Sequence, residues 1–227
     1  MMQTRRAMIE NNAKGLMLLS HQRFEESARI FRSCLGELHS QLEGSMGNPN
    51  RDNTVPKSSL PYNIIPANVC SESVTDQSAL TLYVKGFYVV PKNEQMDDDL
   101  SYEDEHLLSA VFLYNLTLTF HLRALVSPST KNVNLKRSLA LYEMILKFFR
   151  CLSETEDAAA SILQLAVFNN MAYIHLHNYD AGAFGTKVAW MKEILWTQTA
   201  ADDEYNVFCL NLVMTEHSNC FCLSPAA

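Results

Sequence analysis

Residues 24–35 read F-E-E-S-A-R-I-F-R-S-C-L, and their spacing decides the fold. Phe24, Ala28, Phe31, Leu35, Leu38 and Leu42 follow one another by steps of three and four, so they line one stripe of a single α-helix. The same stripe returns in residues 135–149, L-K-R-S-L-A-L-Y-E-M-I-L-K-F-F, as Leu135, Leu139, Tyr142, Leu146 and Phe149. Each of these helices follows another apolar helical stretch across a short break. The first is N-N-A-K-G-L-M-L-L (11–19) and the second is F-L-Y-N-L-T-L-T-F-H-L (112–122). A third, more diverged block opens at 164 with Q-L-A-V-F-N-N-M-A-Y-I-H-L. A helical hairpin repeated along a chain predicts a solenoid, in which each pair buries its apolar face against the next.

Working outward, helices are expected over Thr4–Ser20, from Phe24, over Tyr102–Leu125 after Ser101 as N-cap, from Val133, up to His177 after Ser153, around Phe184–Leu195, and over Glu204–Thr215 as a cap. Residues 44–78 carry Pro49, Pro56, Pro61 and Pro66 among Ser and Asn, and read as a linker. Then T-L-Y-V-K-G-F-Y-V-V-P (81–91) is β-branched and aromatic, and reads as a short hairpin or one extended strand. Two strands alone are marginal in water, so this insert is expected to lie on the helices. An acidic run follows at Glu94–Asp99. The organisation is therefore a first hairpin (1–43), a linker with a β insert at about 79–91 and the acidic run (44–100), two further hairpins plus a capping helix (101–216), and a loose tail (217–227).

These blocks resemble the tetratricopeptide repeat (TPR). The first helix of that family carries an Asn–apolar–small run, matched here by Asn115–Leu116–Thr117 and Asn170–Met171–Ala172, with Gly15 at the small position of the first block. Its second helix opens on an aromatic, acidic residues and a small residue, matched by Phe24–Glu25–Glu26–Ser27. The order of insert, acidic run and second block also resembles uncharacterised repeat proteins of diatoms, which implies no activity. The resemblance implies an all-α fold, a right-handed superhelical stack of hairpins with one small extended insert, and a concave groove that binds peptides. The groove positions it implies are Ile9, Asn12, Leu16, Tyr114, Leu118, His121, Asn169, Tyr173, Leu176 and His177. Apolar, amide and aromatic side chains of this kind suit an extended or helical peptide, and they equally suit packing against the 81–91 insert. Members that grip a chaperone's C-terminal carboxylate need cations in the groove. Asn12, Tyr114 and Asn169, with Ala166 and Asn170, stand there instead, so no such binding is expected.

Composition bounds the rest. The chain has 227 residues, is 48% hydrophobic and carries a net charge of −7, which suits one or two globular domains and supplies no basic face for nucleic acid or anionic membrane. The apolar window Leu107–Val126 contains Asn115, His121 and Arg123 and reads as a buried helix. With no secretory signal read near the N-terminus, the default compartment is intracellular, the cytoplasm. Six cysteines without Cys-x-x-Cys read as reduced thiols, Cys34, Cys151 and Cys209 on apolar helix faces.

No nucleophile elbow, phosphate loop or paired zinc motif is found. His175 and His177, two apart on a helix, point to different faces and cannot chelate together. The acidic residues at 97–105 lack the glycine and ligand spacing of a calcium loop. Asn115-x-Thr117 matches a glycan acceptor only by chance within a helix. The expectation is a non-catalytic protein-interaction module that needs no cofactor or metal and binds a peptide or protein segment in its groove. The alternative is a structural subunit whose groove is occupied by its own 79–91 insert and which assembles with another chain or with itself.

Overall fold

The computed structural model describes residues 2–45, 62–69, 80–92, 102–151, 158–197 and 203–222. Among them are seven α-helices and a two-stranded sheet: α1 (Met2–Ser20), α2 (Phe24–Ser45), β1 (Tyr62–Asn68), β2 (Lys85–Pro91), α3 (Tyr102–Val126), α4 (Lys131–Cys151), α5 (Ala158–His177), α6 (Ala181–Thr197) and α7 (Asp203–Cys222). The chain is mostly helical, as expected. It divides into two compact units. One holds residues 1–71 and 84–154, the other residues 72–83 and 155–227.

In the first unit α1 packs on α2, α2 on α3 and α3 on α4, while β2 lies against α1 and α3. Of the stripe read from sequence, Ala28, Phe31 and Leu38 are buried in α2, and Cys34 is buried beside them where Leu35 is half-buried. Close approach of α1 and α2 rests on small residues. A Cβ at Gly15 would stand 2.7 Å from the Phe31 ring, and Ser27 Oγ donates to the Gly15 carbonyl at 2.9 Å. The second hairpin repeats that bond: Ser138 Oγ of α4, at the position of Ser27, faces the Thr117 carbonyl of α3 at 3.5 Å. α3 has the length and apolarity of a membrane span, and nearly all of its described side chains are buried within the protein.

In the second unit α5 packs on α6 and both contact α7. The turn from α5 to α6 copies the turn from α1 to α2. Gln22 and Tyr179 both take left-handed backbone conformations, φ 59° and 57°. In each turn the residue after them donates back across the helix end, Arg23 N to Leu18 O (2.9 Å) and Asp180 N to His175 O (3.0 Å). Asp180 then caps α6 by accepting from Ala183 N at 3.1 Å.

Two expectations differ from what is found. The 44–78 stretch, read as a linker, contains β1. Its partner β2 lies 17 residues further along, too far for a local hairpin signal, and its Pro66 speaks against a strand. The tail from 217, read as loose, continues α7 to Cys222. Of the two readings of 81–91, the single extended segment is the one found, with β2 starting at Lys85. The N-caps Ser101 and Ser153 and the acidic run at 94–99 lie outside the described residues.

The antiparallel register pairs Pro66 with Phe87 and Asn68 with Lys85. Val69 N donates to Val84 O (3.3 Å) and so sets the phase of the ladder. Val84, Gly86 and Tyr88 turn their peptide groups toward β1, and Phe87 turns its own away. Pro66 therefore sits opposite Phe87 without removing a ladder hydrogen bond.

Candidate functional site

An extended chain with one edge unpaired must satisfy its outward N–H and C=O groups elsewhere. Here asparagine side chains do so. In the first unit Asn115, near the middle of α3, grips Phe87 at both ends. Phe87 N donates to Asn115 Oδ1 (2.9 Å), and Asn115 Nδ2 donates to Phe87 O (2.9 Å). Asn12 of α1 adds a second donor to Phe87 O (3.0 Å) and accepts from Asn115 Nδ2 (2.9 Å). Both asparagines and Phe87 are fully buried. A side-chain amide presents the same donor–acceptor pair as a peptide group, so Asn115 stands in for a neighbouring strand.

In the second unit the same grip occurs twice. Tyr83 N donates to Asn170 Oδ1 (2.9 Å) and Asn170 Nδ2 donates back to Tyr83 O (3.0 Å). Thr81 N donates to Asn211 Oδ1 (3.1 Å) and Asn211 Nδ2 returns to Thr81 O (2.8 Å). Asn169 repeats the part of Asn12, donating to Thr81 O (3.0 Å) and accepting from Asn211 Nδ2 (2.7 Å). Thr81, Tyr83 and Phe87 are all odd-numbered, as residues of an extended chain that turn their peptide groups to one side must be.

Side chains complete the grip within each unit. Phe87 meets Tyr114 edge-on (centroids 5.0 Å), and Tyr83 stacks on Phe208 of α7 (4.9 Å). Gly86 is required where it stands, because a Cβ there would lie 2.3 Å from Leu16 Cδ2 and 3.3 Å from Asn115 Oδ1.

The expected groove residues divide accordingly. Asn12, Leu16 and Tyr114 meet β2 in the first unit, and Asn169 meets Thr81 in the second. Ile9 lines a small cleft with Arg5, Met8, Tyr62, Leu108 and Phe112. Leu118 is fully buried, and His121 is buried with Nδ1 3.3 Å from Tyr142 Oη, turned toward α4. Tyr173 is buried with its ring against His177, whose Nδ1 donates to Tyr173 O (2.9 Å). Leu176 and His177 are half-buried. The principal grips, Asn115, Asn170 and Asn211, were not among the expected positions. Asn115 and Asn170 stand in the Asn–apolar–small runs read from sequence, and Asn211 sits in a similar stretch, C-L-N-L-V.

Burial pushes the Tyr62 hydroxyl up to about 12 and the Cys34 thiol up to about 12, so both stay protonated. Among the described residues no cluster of three or more His, Cys, Asp or Glu is placed to hold a metal ion. No known family, curated protein or solved structure matches this chain.

Proposed function

We propose that this chain is a non-catalytic protein-interaction subunit. In this reading it is a right-handed stack of tetratricopeptide-like hairpins whose concave face is filled by residues 81–87 of the chain itself. The observation that carries this reading is the asparagine grip on Thr81, Tyr83 and Phe87, made to peptide groups rather than to side chains. First helices that hold an extended backbone in this way are built as a peptide groove. With the segment in place, the groove serves as core, and other chains are met on the outer faces.

The test is a labelled peptide of residues 79–92 added to the full chain. The reading predicts no saturable binding up to about 100 μM, because an intramolecular occupant enjoys a high effective concentration. A dissociation constant in the micromolar range would replace it with the open-groove reading, in which an external peptide displaces the segment.

A further inference from the structure

α4 departs from the acid balance of the chain. Lys131–Cys151 carries five Lys and Arg against one Glu, while the whole chain has a net charge of −7. One of these cations, Arg137, stands over the ring of Phe120 in α3, its guanidinium carbon 4.8 Å from the ring centre. Arg32 of α2 stands over the same ring at 5.4 Å. The two guanidinium groups are therefore held near each other by one ring, and both residues are exposed.

Other arginines are treated differently. Arg6, Arg23 and Arg123 each pair with a glutamate. Arg32 and Arg137 pair with no carboxylate among the described residues. An aromatic ring attracts a guanidinium without neutralising it, and leaves its N–H donors to other partners. Two like charges held in this way repel, and an anion that reaches both relieves the repulsion while accepting from both forks. Phe120 comes five residues after Asn115, which places it about 140° round α3 from the side that grips Phe87. The arginine pair thus belongs to the outer side of the first unit.

The neighbours on α4 say what kind of anion fits. Val133, Arg137 and Met144 follow by steps of four and seven and so share one stripe, with Val133 64% and Met144 46% exposed. Large apolar side chains on either side of the cation suit a segment that carries both acidic and apolar residues, and a free ion would leave them uncovered. Phe120 is itself buried, so no ring is offered for stacking a base, and a long polyanion meets a chain of net charge −7.

We propose that Arg32 and Arg137 form a docking site for an acidic, amphipathic segment of a partner protein. A carboxylate of that segment bridges the two guanidiniums, and its apolar residues cover Val133 and Met144. The proposal names the partner chemistry of an outer face, and it rests on the interaction-subunit reading above for there being a partner.

Fluorescence anisotropy of the full chain with a labelled peptide of Glu and Leu tests it, beside the same peptide with Gln in place of Glu. The expected dissociation constant of the Glu/Leu peptide is on the order of 10 μM at low salt. Arg32→Gln/Arg137→Gln should weaken it at least about 10-fold with unchanged helical circular dichroism. Arg6→Gln/Lys192→Gln changes the net charge equally and should weaken it less than about 3-fold. If the first variant loses helix, Arg32→Lys/Arg137→Lys carries the test: it keeps both charges, loses the planar forks, and should weaken binding about 3-fold. No saturable binding, equal binding of the Gln/Leu peptide, or equal loss in the two Gln variants overturns the proposal. So does displacement of the peptide by millimolar inorganic phosphate, which would mark a free-anion site, or tighter binding of an oligothymidylate, which would mark a nucleic-acid face. The 79–92 peptide carries Lys85 and Lys92 and no acidic residue, so its exclusion is decided apart from this site and the two readings fail separately.

Discussion

Phe87 and Thr81 are held by the same pair of asparagine contacts, yet in different surroundings. Phe87 belongs to β2, paired with β1 along one edge and gripped by Asn115 and Asn12 along the other, with Phe87 and both asparagines buried. Thr81 precedes the strand, has no ladder partner among the described residues, and is exposed while Asn211 and Asn169 are not. Tyr83 lies between: Asn170 grips it as Asn211 grips Thr81, but it is buried. The side-chain amide can thus finish a ladder or replace it. What changes from one place to the other is how much water could take over if the amide were removed.

The largest expected effect tests that difference directly. Asn115→Ala leaves the Phe87 N–H buried without its acceptor and removes two further bonds, which should cost about 3–5 kcal/mol in denaturant unfolding. Asn211→Ala should cost about 1 kcal/mol, because Asn169 still donates to Thr81 O and water reaches Thr81. Equal losses would break the comparison. Next comes Gly86→Ala, which drives a Cβ into Leu16 and Asn115 and should cost about 2 kcal/mol. Combined with Asn115→Ala it should be less than additive, since both changes loosen the same contact.

A smaller effect follows from the buried acids. Tyr62 is raised from 10 to about 12 and Cys34 from 9 to about 12, chiefly by burial. The unfolded chain releases these protons at lower pH than the folded chain does. Their contribution is therefore fully present below about pH 9 and declines as pH rises toward 12. Native Cys34 should resist thiol reagents at pH 8 while exposed Cys209 reacts. The smallest effect concerns the two copied turns. Gln22→Gly and Tyr179→Gly relieve left-handed backbone at non-glycine residues and should each raise stability by about 0.5 kcal/mol. A loss at either site would mean that the side chain contributes more than its backbone costs.

Helices were legible because their signal is local. The Phe24–Leu42 stripe, its copy in α4 and the small residues Gly15 and Ser27 name one face without reference to the rest of the chain. β1 was not legible: its two isoleucines sit among Asn63, Pro66 and Asn68, and what makes it a strand is a partner that begins at Lys85. Asn12 and Asn169 were expected at groove positions, Asn115 and Asn170 were singled out as the asparagines of the repeat motif without a partner assigned, and Asn211 was not singled out. A buried asparagine inside a helix looks unfavourable until the peptide group it serves is known, and that group belongs to a residue 28 to 130 positions away.

Amide hydrogen exchange resolved by residue tests the central claim most directly. If asparagines hold residues 81–87 as part of the core, the Phe87 and Tyr83 amides exchange as slowly as those in the middle of α3 and α5, and Asn115→Ala releases Phe87 while Tyr83 stays protected. Rapid exchange of both amides in the wild-type chain would contradict the account and return the segment to the status of a loosely held strap.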